Sequence, residues 1–393
     1  MTSGIKVKEM KRREFIKYSG VLTSVSLISM LGIPSCNFNQ PMNVGIPDMK
    51  LYWQKWKAKR PYAPDIDDDG LLWYGRDSLF CSNLETNTTE KIDTTYLEGN
   101  PLSSVFRYGN KIYIAAQKSP FIYVYYKDTK NFKRFSLPEP ESNIWYGVKV
   151  DNGQKLYLYA RNLGKLIVWD TEIDKGIAIP FPDNIDLWSG FYVEQDQAIY
   201  SFTLENKPSR LVRFDLKKQK YDAIIYTPDP NLEITGVNTI GDTLYCADRF
   251  TGRIFPFNYV DKKWSEPVVA PGIGKEFGFV GVGCSYNGLA LYCLSTYKGK
   301  MKWDFDKNKY ISSEDENIGV DGNKHHFLNK FLVYDPRQNK FEFLEAEENG
   351  RYPLLCYSIV HNDKLIITGF DIWNKEEMLP DMEKEGELLV FHN

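Results

Sequence analysis

The chain has 393 residues, and its 49 Lys and Arg against 52 Asp and Glu leave a net charge of -3, which gives no basic footprint for nucleic acid. Four His are too few for the imidazole-rich centres of copper or haem proteins, and six Cys without CxxC or zinc-ligand spacing do not imply a disulfide framework. The compositional outlier is the aromatic share of 15%, with 26 Tyr and 9 Trp.

In chain order, the first element is basic, "KRREFIK" from residue 11, followed by an apolar run from Val21 to Ile33 diluted by Thr23, Ser24, Ser26 and Ser29. That run is too short to cross a bilayer, which takes about 20 apolar residues, so it reads as the apolar core of an export signal. Arg12 and Arg13, with Phe15, Ile16 and Lys17 behind them, resemble the twin-arginine export signal. Ile33-Pro34-Ser35-Cys36 resembles a bacterial lipobox, with Pro34 departing from the usual pattern. The resemblance implies a signal peptide over residues 1–35 and lipidation of Cys36. It also implies a polar tether over 36–48 and a protein that is periplasmic or on the cell surface, held to the membrane by lipid.

From residue 49 onward the sequence repeats. "DDDGLLWYG", "RYGNKIYIA", "VDNGQKLYLYA", "EQDQAIYSF", "TIGDTLYCA", "SYNGLALYCL" and "VHNDKLIITG" each place a turn before an apolar-aromatic strand. With Trp73, Tyr113, Tyr157, Tyr200, Tyr245, Tyr292 and Ile366 taken as equivalent, the spacings are 40, 44, 43, 45, 47 and 74 residues. A period of about 44 residues is that of a propeller blade, and the last gap holds an insertion of about 30. Inside the units, "LIVWD", "LVRFD", "IFPFN" and "FLVYD" end in Asp170, Asp215, Asn258 and Asp335, whose short side chains suit the start of a hairpin turn. Gly147, Gly190, Gly236 and Gly281 fit a strand crowded near a central axis.

These elements predict an all-β chain, a seven-bladed β-propeller of four-stranded antiparallel blades over 49–393. The seventh unit stops at "ELLVFHN" without a fourth strand, and "MKLYWQKWK" from residue 49 has no blade of its own. Pairing the two would close the ring and cover the open edges, giving a monomer. The insertion at about 297–329 falls between the second and third strands of blade 6. It is expected over the face formed by the loops after each second strand and by the blade-to-blade junctions, here called the top face.

Ligand-binding candidates on that face are Arg76, Trp145, Tyr146, Arg161, Trp188, Arg249, Tyr297, His325, His326 and Trp373. Aromatic planes beside guanidinium forks suit an anionic carbohydrate, whose rings stack and whose acids pair; a protein partner is the other ligand class expected there. An alternative by analogy of fold is a polysaccharide lyase, with His326 or Tyr297 as base and Arg161 or Arg249 neutralising a uronate. No nucleophile or phosphate-loop motif occurs. Cofactors are expected to be absent. The one calcium alternative, Asp304, Asp306, Asn308 and Asp315 with Tyr310 and Ser312, has ligand spacing but Lys309 where the sharp turn takes Gly. "DIDDDG", from Asp65, reads as the hairpin turn of the first blade, and the strand cysteines read as buried thiols.

Overall fold

The computed structural model describes residues 40–43, 50–59, 64–75, 78–86, 88–203, 208–248, 253–270, 278–279, 284–295, 301–304, 309–312, 327–345, 354–361, 364–370 and 385–392. Secondary structure among the described residues is strand, apart from short 3-10 turns. Seven antiparallel sheets follow one another as blades, the first six with their strands in sequence order and the seventh completed by a strand from the start of the chain. Blade 3 is representative: Ile144–Val150, Lys155–Ala160, Lys165–Asp170 and Lys175–Pro180. The first strands of blades 1 to 4 approach one another in turn, as do those of blades 5 to 7, which sets them around the axis. The fourth strand of blade 3 is half-buried to exposed, while its second and third are mostly buried.

The ring closes as the sequence predicts. Lys50–Lys59 pairs antiparallel with Glu385–His392, from Tyr52 opposite His392 to Lys59 opposite Glu385, and so becomes the fourth strand of blade 7. Gln40–Asn43 adds a fifth strand outside it. These four residues belong to the stretch expected to be a polar tether. Pro41 is tolerated there because an outermost strand has an unpaired side. Ile366 of blade 7 packs with Leu72, Tyr74 and Phe80 of blade 1, sealing the last interface with the first. The insertion separates the second strand of blade 6, Leu289–Ser295, from the third, Phe327–Asp335, and contains a hairpin of Met301–Asp304 and Lys309–Ser312.

Local chemistry explains the repeat. Asp170, Asp215, Asn258 and Asp335 each accept a backbone N–H two or three residues on, from Glu172, Lys218, Val260 and Arg337, closing the turn between third and fourth strands. The recurrent aromatics fill the gaps between blades. Tyr113 is fully buried, donates to Thr171 O of blade 3 at 2.8 Å, and packs with Ile144 and Leu156 there. Tyr157 accepts from Gln219 of blade 4 at 3.1 Å. Each such ring contributes about 1.5–3 kcal/mol through burial.

Two expectations are corrected. Strand register makes Leu291, opposite Val333, the partner in sequence of Tyr157, opposite Val168; Tyr292 sits one residue further on. A one-residue step turns a strand side chain to the other face, so Tyr292 packs back on Ala247 and Ile254 of blade 5 and donates to Tyr245 O at 3.0 Å. The glycines also have another cause. A Cβ on Gly190 would stand 2.0 Å from the Tyr159 hydroxyl, and one on Gly147 would stand 2.6 Å from the Phe106 ring. An aromatic of the preceding blade, not crowding at the axis, excludes a side chain at both. Gly281 lies outside the described residues.

Candidate functional site

The top face is built where the chain enters each blade. In blades 2, 3, 4, 5 and 7 the first strand shifts register at the same place, between Leu102 and Ser104, Ile144 and Tyr146, Leu187 and Ser189, Ile234 and Gly236, and Leu355 and Tyr357. The residue left over at each shift is Ser103, Trp145, Trp188, Thr235 or Cys356. A bulge of this kind re-aims one side chain and is common beside functional sites. The propeller therefore carries a recurring set of irregular positions at the top end of its innermost strands, and two neighbouring blades fill theirs with tryptophan.

Trp145 is half-buried, as is Tyr146. Tyr146 lies 6.3 Å from the ring of Tyr159, opposite it in register. The Tyr159 hydroxyl is fully buried and shares a 2.7 Å hydrogen bond with Ser201 of blade 4. Burial raises its pKa, which the Ser201 contact only partly offsets, so this phenol stays protonated and structural. Cys246 is likewise buried with its thiol raised by desolvation, and Cys81 is pushed up to about 12 by burial and then by Asp67. Neither is a nucleophile in that state.

The loops after the second strands are stitched to the blade-to-blade junctions on either side. Arg161 pairs with Asp186 through both Nε, at 2.9 Å from Oδ1, and Nη2, which faces Oδ2. That fork already holds a carboxylate, so an acidic ligand at Arg161 would share it with Asp186. Lys118 N donates to Asn143 Oδ1 at 3.0 Å, and Asn143 N donates to Asn162 Oδ1 at 2.9 Å. In blade 5, Glu233 N donates to Asp248 Oδ1 at 2.9 Å. Asn143, Asp186 and Glu233 each precede a first strand, and sequence reasoning passed over them. The signal was present in "NIW", "DLW" and "EIT", a polar residue, an aliphatic and the bulge residue.

Of the expected site residues, the structure brings Trp145, Tyr146 and Arg161 to one sector of the rim, with the backbone of Trp188 at the equivalent place in the next blade. Arg76, Arg249, Tyr297, His325, His326 and Trp373 lie outside the described residues, as do Arg12, Arg13 and Cys36. Asp306, Asn308 and Asp315 also lie outside them. Asp304 pairs in register with Lys309, which puts Tyr310 and Ser312 on a strand leading back along Trp303 and Met301. "DIDDDG" is a hairpin turn: Gly70 N donates to Asp67 O at 3.0 Å, and Asp67 accepts from Asp69 N, Leu71 N, Trp73 Nε1 and Lys127 Nζ. Among the described residues no cluster of three or more His, Cys, Asp or Glu is arranged to hold a metal ion.

The sheet order, the bulged inner strands and the closed ring define a seven-bladed β-propeller with a loop-built top face. No protein-family model matches the sequence, and no curated protein matches it. Solved structures do resemble it. A streptogramin B lyase superposes with a TM-score of 0.61 at 11% identity, over 87% of this chain and 98% of that one. Virginiamycin B lyase from Staphylococcus aureus gives 0.60 at 11%, over 86% and 99%. A catalytically inactive variant of that lyase with quinupristin gives the same values. At such identity the likeness carries the fold alone.

Proposed function

We propose that this chain is an exported, lipid-anchored propeller whose top face binds a carbohydrate, an anionic polysaccharide being the class its chemistry fits. The observation that carries the reading is the bulge at Trp145, half-buried on an innermost strand beside the Arg161–Asp186 pair, with tryptophan repeated at the same bulge in the next blade. Stacking on the Trp145 indole, with amide and cationic groups at the rim, recognises sugar rings and their acids. The test is a titration of the mature domain with uronic-acid and neutral polymers. Trp145→Ala should weaken binding about tenfold, or about 1.4 kcal/mol, without moving the unfolding midpoint. Binding unchanged in that variant and in Trp188→Ala would remove the reading, and binding to an envelope protein alone would replace it.

A second reading is elimination chemistry, favoured by the near-complete superposition on proteins described as lyases. In it, His326 or Tyr297 removes a proton while Arg161 or Arg249 stabilises the anion that forms. Absorbance of an unsaturated product on uronic-acid polymers, with a streptogramin B antibiotic in the same panel, tests it. Product formation abolished by His326→Ala or Tyr297→Phe supports it; binding without product sinks it.

A further inference from the structure

The fifth strand of blade 7 has a consequence for how the anchored protein stands on a membrane. Gln40 is paired with Trp53 and Asn43 with Lys50. Tyr52 lies opposite His392, which lies opposite Lys364 beside the turn from first to second strand. Gln40 therefore sits at the level of the bottom face, the side away from the bulges and junction loops. Only residues 37–39 separate it from Cys36. Four chain steps span at most about 14 Å, at 3.3–3.6 Å per residue.

The top face is further away than that. From Trp53 to Lys59 the strand rises through six residues to the level of Glu385, where the third strand of blade 7 begins. At 3.3–3.4 Å per residue that is about 20 Å, before any top-face loop is added. With its top face against the bilayer, the molecule would hold Gln40 beyond the reach of its own leash. Unpairing Gln40–Asn43 removes the restriction, because Cys36 to Lys50 then spans up to about 50 Å.

We infer that the pairing of Gln40–Asn43 with Lys50–Trp53 is an orienting device: it ties the lipid to the bottom rim of blade 7 and keeps the ligand face turned away from the membrane. The inference rests on lipidation of Cys36, and its test separates the two. Glu85, at the bottom turn between third and fourth strands of blade 1, and Thr95, at the top junction of the same blade, are both exposed. They stand at opposite ends of the same blade.

Single fluorophores attached at Glu85→Cys or Thr95→Cys, in lipidated protein reconstituted into vesicles with headgroup nitroxides, should show loss of emission at Glu85 and none at Thr95. A long Gly/Ser insertion between residues 39 and 40 should make the two sites alike. Equal quenching in the parent protein, with the lipid confirmed by mass, overturns the orientation. Cys36→Ala that still fractionates with membranes overturns the anchor instead.

Discussion

The two faces of the propeller are held by different chemistry. At the bottom, ion pairs run between blades on the more buried carboxylates: Asp65 of blade 1 pairs with Lys149 of blade 3, Asp67 of blade 1 with Lys127 of blade 2, and Asp174 of blade 3 with Lys111 of blade 2. Asp67 is fully buried, and Arg213, 10% exposed, is surrounded by Asp196, Asp215 and Asp222. The described top-face junction pairs, Arg161–Asp186, Lys165–Glu139 and Arg253–Asp229, keep both partners partly in water. Buried ion pairs fail expensively when one partner is lost, whereas wet ones are nearly neutral. The contrast makes the bottom a rigid frame and leaves the top free to vary its side chains for a ligand.

The sharpest way to break this contrast is Arg213→Met, which leaves three carboxylates facing one another without their buried cation. It should cost about 3–5 kcal/mol, read as a fall in the urea midpoint; a loss near that of a surface pair would mean the frame is no more than solvated charge. Acid should act next. Asp215 is held well below the usual carboxylate range, first by the Lys218 backbone N–H and, against burial, by Arg213. Burial raises Asp222 and Asp170, but Arg213 and Lys155 outweigh it and lower both. A depressed folded pKa contributes stability fully above the unfolded value of about 4, and that stability is lost as pH falls through the folded value. Unfolding midpoints should thus hold from about pH 7 to 5, then drop below about pH 4, less steeply in Arg213→Met. A decline already complete at pH 5 would contradict this. Smallest of all is Arg161→Ala at the top, expected to change stability by under about 1 kcal/mol in the same measurement. A larger loss would show that the two faces do not differ.

Much of the architecture was legible because its signals are local. Turn-closing Asp170, Asp215, Asn258 and Asp335 recur with the blade period, and an orphan strand at one end of the chain matches a missing strand at the other. The site was less so. Trp145 and Tyr146 stand at the junction that the pattern indicates, but the Arg161 fork, expected to meet an acidic ligand, is filled by Asp186, 25 residues away in sequence. The bulges are not legible in the sequence, because an extra residue in a strand leaves no mark on composition. Tyr292 was placed one residue out of step because an aromatic at nearly the right spacing outweighs a register that only pairing reveals.

By itself, then, the sequence determined the number of blades, the order of strands and the place of the insertion, since turns and alternating strands are written in neighbouring residues. Tertiary structure alone decided which side chains share a rim or a buried pair. Lys149 and Asp65 lie 84 residues apart, and no local preference links them. They meet because the closed ring brings the lower ends of its inner strands together, where the buried Asp65 carboxylate needs a cation and Lys149 can reach it.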